Sequence, residues 1–405
     1  MHFFIHLLLF LENRVVKLAM INSNSYLVRN YFNLKPAHFK NVIFNKAFGF
    51  YKHRYFTVDT IEKLLVQSNY QSLLQWRDHV KQQVSGLDAL FCHKGTLTST
   101  LTSDFTEQAS LIVMAAQFNT AQLHNLLRLL TDEYIDTIRL HAPEIIENVI
   151  VMRFALSAKS PSLKLKLDAF AKENKMDFAL MDHFPDWQKP GLVLMDMDST
   201  TIQIECIDEI ARLYGVGDEV SAVTALAMQG KLDFNESLRT RVSKLEGAPV
   251  SILKEVADSM PLMPGLLELI KGLKNAGWKV AIASGGFNYF ADRLKAEHDF
   301  DYAIANTLEI SDQLLTGKVV GDIVNATVKA GTLSELAARY NIPMSQTVAI
   351  GDGANDLLMM GASALGIAIH AKPIVQEKAA VSLNHLDLQG ALCILSASNC
   401  VNSWS

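Results

Sequence analysis

Short apolar runs alternate with longer amphipathic stretches from Gly191 onward. Apolar runs bounded by turn-forming residues predict buried strands, and the stretches between them predict the helices that cover the strands. The predicted strands are Leu192–Met195, 279–283, 302–305, 348–350 and 366–369. Because strands that alternate with helices form parallel sheets, residues 186–400 are predicted to be an α/β domain with a parallel sheet.

Two segments interrupt this alternation. Residues 205–260 form a long helical stretch between the first two predicted strands, where a plain crossover needs only about a dozen residues. We predict that this insertion is a lid, or cap, over the sheet edge. Residues 310–324 contain the turn-forming residues Asp312 and Gly317 and predict a β-hairpin.

The patterns before residue 186 predict a small α+β accessory module. Residues 148–154 and Asp177–Met181 predict strands, and 162–173 predict an amphipathic helix, so the end of the module covers 146–185. It resembles ACT-like regulatory modules only loosely. Residues 1–145 are predicted to be mostly helical and contain no catalytic constellation.

The composition excludes several classes of protein. The 405 residues, of which 49% are hydrophobic, can bury the cores of two or three domains. The net charge of −5 and the lack of Lys/Arg runs disfavour nucleic acid and anionic membranes as partners and favour small molecules. The four cysteines have no CxxC spacing, which argues against a zinc site or a disulfide framework and favours a reducing cytoplasm.

The apolar segment 3–11 is too short to span a bilayer, and it lacks the preceding positive charge and the cleavage site of a signal peptide. We therefore expect either that translation begins at Met20 or that the segment packs locally.

Two carboxylates directly follow the first predicted strand. In the motif DMDST (196–200), Asp196 and Asp198 lie at the carboxyl end of Leu192–Met195, where α/β enzymes place catalytic groups. Because side chains alternate along a strand, the two carboxylates can face the same side. Asp196 can then attack phosphorus as a nucleophile, while Asp198 protonates the leaving oxygen and later activates water.

Phosphate beside two aspartates needs a compensating cation. The motif GDGAND (351–356) follows the strand 348–350 and offers Asp352 as an oxygen ligand for Mg²⁺. Asn355 and Asp356 can bind the metal's shell or orient neighbouring side chains. Taken alone, a loop of this composition is equally typical of a surface turn.

Two further segments can contribute donors to a phosphate group. Ser284 and Gly285 follow the strand 279–283 at the predicted start of a helix, where a hydroxyl and an amide can donate to phosphate oxygens. Lys329 precedes another helical stretch and can supply a positive charge. A Gly-Gly turn or a single lysine, taken alone, has no such meaning.

The ordered set of DMDST, SGG (284–286), Lys329 and GDGAND resembles the haloacid dehalogenase-like phosphatases. The similarity covers about 185–396, and segments 196–211 and 232–242 resemble the phosphoserine phosphatases of that family. The resemblance implies a Rossmann-like parallel sheet with a helical cap inserted after the first strand. It also implies Mg²⁺-dependent hydrolysis of O-phosphoserine through an aspartyl-phosphate, the last step of serine biosynthesis.

The resemblance implies a role for each candidate residue. Asp196 corresponds to the phosphorylated nucleophile and Asp198 to the acid/base, and both bind the metal together with Asp352, Asp198 through its main-chain carbonyl. Glu205 corresponds to the residue that binds the substrate ammonium and Arg241 to the one that binds its carboxylate. The other substrate-binding positions are Ser284, Gly285, Lys329, Asn355 and, in the lid, Met228 and Phe234.

Several alternatives remain open at this point. The protein could instead be a related enzyme that transfers the phosphoryl group to another alcohol such as homoserine. It could also be a phosphatase for another metabolite, which would not need Glu205 and Arg241 together. These two residues could also form an ordinary lid salt bridge. A non-catalytic amino-acid sensor would gain nothing from a nucleophile and a metal ligand. The oligomeric state is open, with a homodimer as one alternative.

Overall fold

The computed structural model describes residues 70–83, 89–94, 96–98, 105–228, 231–398 and 404. The chain divides into two compact units, Met1–Arg54 and Tyr55–Ser405, and every described residue belongs to the second. The apolar segment 3–11 and the other predictions before residue 70 lie outside the described residues. None of the described helices is both long and apolar enough to cross a bilayer.

The accessory module combines helices and strands. Its elements are α1 (Leu73–Gln83), β1 (Leu90–His93), β2 (Thr96–Thr98), β3 (Ala109–Ala115), α2 (Thr120–Asp132), β4 (Thr137–Leu140), β5 (Glu144–Ile146), β6 (Val149–Leu156), α3 (Leu163–Asn174) and β7 (Asp177–Met181). Neighbouring strands are antiparallel in the order β7-β3-β6-β4-β1-β2, and β5 pairs with β6. The succession β3-α2-β4-β6-α3-β7 in this order is a ferredoxin-like arrangement.

The prediction of a mostly helical segment up to residue 145 is wrong for residues 90–146, which contain strands β1 to β5. Strand β3, with the sequence ASLIVMA, is buried at every position. Its apolar residues therefore show no alternation that would separate a buried strand from a buried helix. The later predictions in this module, strands 148–154 and Asp177–Met181 and helix 162–173, are confirmed as β6, β7 and α3.

The α/β domain follows. Its elements are β8 (Leu192–Met195), α4 (Cys206–Tyr214), α5 (Gly217–Met228), α6 (Phe234–Ser243), α7 (Ser251–Asp258), α8 (Leu266–Asn275), β9 (Lys279–Phe287), α9 (Asn288–Glu297), β10 (Tyr302–Ser311), β11 (Leu314–Val320), α10 (Ala326–Arg339), β12 (Thr347–Gly351), α11 (Leu357–Ala362), β13 (Leu365–Ile369), α12 (Pro373–Lys378), β14 (Val381–Leu383) and α13 (Gln389–Ser398). The strand order is β11-β10-β9-β8-β12-β13-β14, parallel from β10 to β14.

All five strands predicted in this domain are confirmed, and the sheet is the predicted parallel one. Strand β8 lies between β9 and β12, so the chain leaves all three strands at the same edge of the sheet. The prediction that residues 284–286 open a helix is wrong. Strand β9 continues to Phe287, because this residue still pairs with Asn306 on β10, and α9 begins only at Asn288.

Helices α4 to α7, residues 206–258, form the predicted insertion and are called the lid below. The hairpin predicted at 310–324 is formed by β10 and β11. The lid is hydrogen-bonded to this hairpin, since the Gly247 N–H donates to the Leu315 carbonyl at 2.8 Å. The hairpin therefore anchors the carboxyl-terminal half of the lid.

A buried carboxylate joins the accessory module to the α/β domain. Asp177, the first residue of β7, is 2% exposed and accepts backbone N–H groups from Asn384, His385 and Leu386 at 2.9, 3.0 and 2.7 Å. Strand β7 also pairs with β14, so the two sheets are continuous. Side chains of β3, β6, β7 and α13 share one hydrophobic core, which fixes the module to the domain.

We expect Asp177→Ala to lower the free energy of unfolding by about 3 kcal/mol, because three backbone N–H groups lose their charged acceptor. Urea unfolding followed by circular dichroism measures the change. Asp182→Ala is the matched control, because Asp182 is exposed and its ion pair with Lys159 contributes at most about 1 kcal/mol. Equal losses in the two variants would contradict the prediction.

Candidate active site

Asp196 is fixed at the carboxyl end of β8 by main-chain and side-chain contacts. Its N–H donates to the Ile350 carbonyl on β12 at 2.9 Å, and its own carbonyl accepts the Thr201 hydroxyl at 2.6 Å. The carboxylate is 5% exposed and lies 2.7 Å from Lys329 Nζ. The backbone contacts therefore hold the almost buried carboxylate of Asp196 at the carboxyl-terminal edge of the parallel sheet.

Lys329 is completely buried beneath this carboxylate. The Asn325 side chain caps α10 by accepting the N–H groups of residues 327 and 328, which places Lys329 in the first turn of the helix. Its Nζ contacts Asp196 at 2.7 Å and Asp356 at 2.8 Å. Burial alone would lower the pKa of Lys329, but the two carboxylates outweigh burial and raise it. The ammonium therefore stays charged inside the protein.

Asp198 has a different environment. It is buried, and its Oδ1 accepts the Cys206 N–H at the start of α4 at 3.4 Å. Burial, together with the charges of Glu205 and Asp196, raises the pKa of Asp198 well above its ordinary value. The protonated form is therefore favoured, as a group that donates a proton requires.

Three carboxylates form a cluster that can hold a metal ion. One oxygen from each of Asp196, Asp352 and Asp356 lies within 4.8 Å of the other two. Burial and the neighbouring charges of Asp196 and Asp356 raise the pKa of Asp352 to about 7. Because such carboxylates repel one another, the cluster fits a hard divalent cation with oxygen ligands.

Two of the three predicted metal ligands, Asp196 and Asp352, contribute side chains to this cluster. The side chain of Asp198 is not part of it, and Asp356 takes the third position. The sequence indicated Asp356 only as a residue of the metal shell or an orienting residue. Its pairing with Lys329 depends on how β12 and α10 pack, which the motif spacing does not give.

Asp196 and Asp352 of this cluster line a cavity of about 280 Å³. The predicted residues that line the cavity are Asp196, Asp198, Glu205, Phe234, Arg241, Ser284, Gly285, Asp352 and Asn355. Lys329 lies behind Asp196 rather than in the lining. Met228 ends α5, and its side chain lies outside the described part of the chain. The sequence missed one wall, formed by Lys372, Ile374 and Val375 at the start of α12.

Glu205 and residues of the lid line the same cavity. Glu205 is exposed at the start of α4 and accepts the Ser199 hydroxyl at 2.9 Å. Arg241 on α6 has its Nε atom buried, and this nitrogen has no hydrogen-bond partner. Among the ion pairs of the described residues, none joins Glu205 to Arg241. Both side chains are therefore available to a ligand of mixed charge.

The segment 284–286, near the end of β9, lies against the lid. Ser284 Oγ, which is 1% exposed, accepts the Gly286 N–H at 2.9 Å. A Cβ atom at Gly285 would lie 2.6 Å from Cζ of Phe234 on the lid. The Phe234 ring can therefore approach the backbone at position 285 this closely only because the residue is glycine.

Comparisons with known proteins agree with this geometry. A family model described as haloacid dehalogenase-like hydrolase matches residues 190–363. Phosphoserine phosphatase of Vibrio cholerae is 52% identical over 248 residues, 61% of this chain and 76% of that protein. The Haemophilus influenzae enzyme of the same name is 54% identical over 230 residues, 57% of this chain and 73% of that protein. The crystal structure of a probable phosphoserine phosphatase from Vibrio cholerae superposes with a TM-score of 0.64 at 45% identity, over 75% of this chain and 93% of that chain.

The acidic cluster predicts direct binding of Mg²⁺. We expect Asp352→Asn to weaken the affinity at least about tenfold in isothermal titration calorimetry, because one anionic ligand is lost. Asp322→Asn is the control, since Asp322 is exposed and lies outside the cluster. Unchanged Mg²⁺ affinity in Asp352→Asn would show that the cluster is not the metal site.

Proposed function

The chain belongs to the haloacid dehalogenase-like hydrolases, and we propose that it is a phosphoserine phosphatase that hydrolyses O-phosphoserine to serine and phosphate. The observation that carries the proposal is one cavity lined by two kinds of group. The carboxylates Asp196, Asp198 and Asp352 of the sheet edge line it together with Glu205, just before the lid, and Arg241 on the lid. The product serine is the end point of the phosphorylated biosynthetic route, as the resemblance implies.

In the first step, a carboxylate oxygen of Asp196 attacks phosphorus, and the bond between phosphorus and the serine oxygen breaks. Asp198 donates its proton to the leaving oxygen, in accord with its raised pKa. Serine is released as the neutral alcohol, and the phosphoryl group remains on Asp196 as an acyl phosphate.

In the second step, a water molecule attacks the same phosphorus atom. The carboxylate of Asp198 accepts the proton of this water, and the bond between phosphorus and Asp196 breaks. Inorganic phosphate leaves, and both carboxyl groups return to their starting protonation states. One carboxylate is therefore the nucleophile and its neighbour moves the proton in both directions.

We assign Mg²⁺ to the acidic cluster, held by Asp196, Asp352 and Asp356 with the main-chain carbonyl of Asp198 as a further oxygen ligand. The buried, mutually repelling oxygens of this donor set suit a hard cation. When bound, Mg²⁺ supplies positive charge to the phosphoryl oxygens.

We assign the remaining phosphate contacts to the Ser284 hydroxyl, the Gly285 N–H and Asn355, all at the cavity surface. Lys329 acts from beneath, where its ammonium holds the Asp196 carboxylate in place. These donors supply hydrogen bonds to oxygens that gain charge in the transition state.

The serine part of the substrate faces the lid. The unpartnered Arg241 Nε supports a role in binding the substrate carboxylate, because a guanidinium binds a carboxylate through paired hydrogen bonds. Glu205 offers an anion to the substrate ammonium. The Phe234 ring lies against Gly285. We assign to Phe234 and Met228 the role of covering the substrate and excluding water. The partner is a small molecule, and on the cysteine pattern of the sequence we further propose a reducing, cytoplasmic location.

We expect Asp196→Asn to lower kcat for O-phosphoserine at least about 10³-fold, because an amide is not a nucleophile towards phosphorus. Phosphate release assays measure the loss, and mass spectrometry of beryllofluoride-treated or acid-quenched enzyme locates the modified residue. Asp218→Asn on the exposed face of the lid is the control. Near-normal turnover by Asp196→Asn, or a label on another residue, would refute the covalent mechanism.

We expect Arg241→Ala to raise KM for O-phosphoserine about 10- to 100-fold, because the substrate carboxylate loses a charged hydrogen-bond partner. KM for phosphoethanolamine, which has no carboxylate, should stay within about twofold. Arg239→Ala is the matched control, since Arg239 is an exposed arginine on the same helix. Equal effects on both substrates would exclude Arg241 as the carboxylate-binding residue.

A further inference from the structure

Asn306 is a buried polar residue that the mechanism above does not use. It lies in β10 just after an irregularity in the pairing with β9, and it is 1% exposed. Both ends of its amide are hydrogen-bonded. The Nδ2 group donates to the Gly285 carbonyl at 2.8 Å, and Oδ1 accepts the Val324 N–H at 2.8 Å.

The first of these bonds fixes the segment 284–286, which carries the proposed phosphate donors Ser284 and Gly285. The Gly285 carbonyl belongs to the same peptide unit as the Gly286 N–H, and this N–H donates to Ser284 Oγ at 2.9 Å. Because a peptide unit is planar, fixing its carbonyl also fixes the direction of its N–H. The Ser284 oxygen then has one lone pair occupied from the protein side, and its own O–H is left to donate into the cavity.

The second bond acts on the helix that carries Lys329. Val324 directly precedes Asn325, the residue that caps α10. One buried amide therefore connects the end of β9 to the start of α10. These two segments carry the Ser284 hydroxyl and the Lys329 ammonium.

We propose that Asn306 is a positioning residue that orients the Ser284 hydroxyl towards the phosphoryl group of the substrate. The proposal rests on the proposed function, because it takes Ser284 as a phosphate ligand. Asn306 does not line the cavity and therefore acts only through its neighbours. Its position requires one donor and one acceptor on a short side chain, which aspartate lacks because an ionised carboxylate can only accept.

A double-substitution cycle with Asn306→Asp and Ser284→Ala tests this coupling. We expect each single variant to lower kcat/KM for O-phosphoserine at least about tenfold, with Mg²⁺ saturating. The double variant should be no more than about twofold worse than the poorer single variant, because Asn306 has nothing to orient once the hydroxyl is gone. Multiplicative losses in the double variant would overturn the proposal, as would a Ser284→Ala variant with normal activity.

The same double-substitution cycle can be measured without turnover. Calorimetry then gives the affinity of each Mg²⁺-loaded variant for inorganic phosphate. If the enzyme does not hydrolyse O-phosphoserine, the proposed function fails, while a non-additive loss of phosphate affinity still supports the role of Asn306. Additive losses of phosphate affinity overturn that role whatever the substrate is.

A separate control variant tests whether a general loss of stability explains the loss of activity. Val381→Ala removes buried methyl groups from β14, away from the cavity, and should lower the melting temperature without changing kcat/KM by more than about twofold. If Val381→Ala reduces activity as much as Asn306→Asp at an equal melting temperature, the effect is structural and the proposal is wrong. If Asn306→Asp does not fold, Asn306→Ser enters the same cycle, because its shorter side chain cannot reach both backbone groups.

Discussion

The ammonium of Lys329, buried between Asp196 and Asp356, is the interaction on which the site depends. The two carboxylates and Asp352 lie close enough to repel one another, and a single buried cation neutralises only part of their charge. The remaining negative charge attracts a divalent ion, which in turn attracts an anionic phosphate. Asp198 has no cation among its contacts in the described structure and instead tends to stay protonated. The different roles that we propose for two aspartates separated by one residue therefore follow from their different surroundings.

The parallel sheet brings these groups together. Strands β8, β9 and β12 end at one edge, where the last residues of β9 and the loops after β8 and β12 line the cavity. Polar contacts help to hold these loops in place. Thr200 donates to Asp352 at 3.2 Å, and Thr201 donates to the Asp196 carbonyl at 2.6 Å. Small side chains in and next to the motif 196–200 therefore help to fix the positions of Asp196 and Asp352, to which we assign roles in the reaction.

Most of the α/β domain could be predicted from the sequence, because its strands are short apolar runs separated by turn residues and its charged motifs lie directly behind them. The prediction failed where burial removes the alternation, as in β3, whose residues all lie in the interior. It also failed where a tertiary pairing overrides a local signal, as in 284–286, which β10 keeps extended. Asp356 and the α12 wall depend on packing between segments distant in sequence, and a motif carries no information on that packing.

Gly285 contacts both the lid and strand β10. Its missing side chain admits the Phe234 ring of the lid, while its carbonyl is held by a buried amide from β10. The lid also carries Arg241, and Glu205 directly precedes its first helix, so the groups assigned to the serine part of the substrate belong to one structural unit. The Phe234 ring of this unit lies against Gly285, next to Ser284. The groups that we assign to the amino acid and those that we assign to the phosphoryl group are therefore connected by direct packing, and a change in the position of the lid would be felt at Ser284.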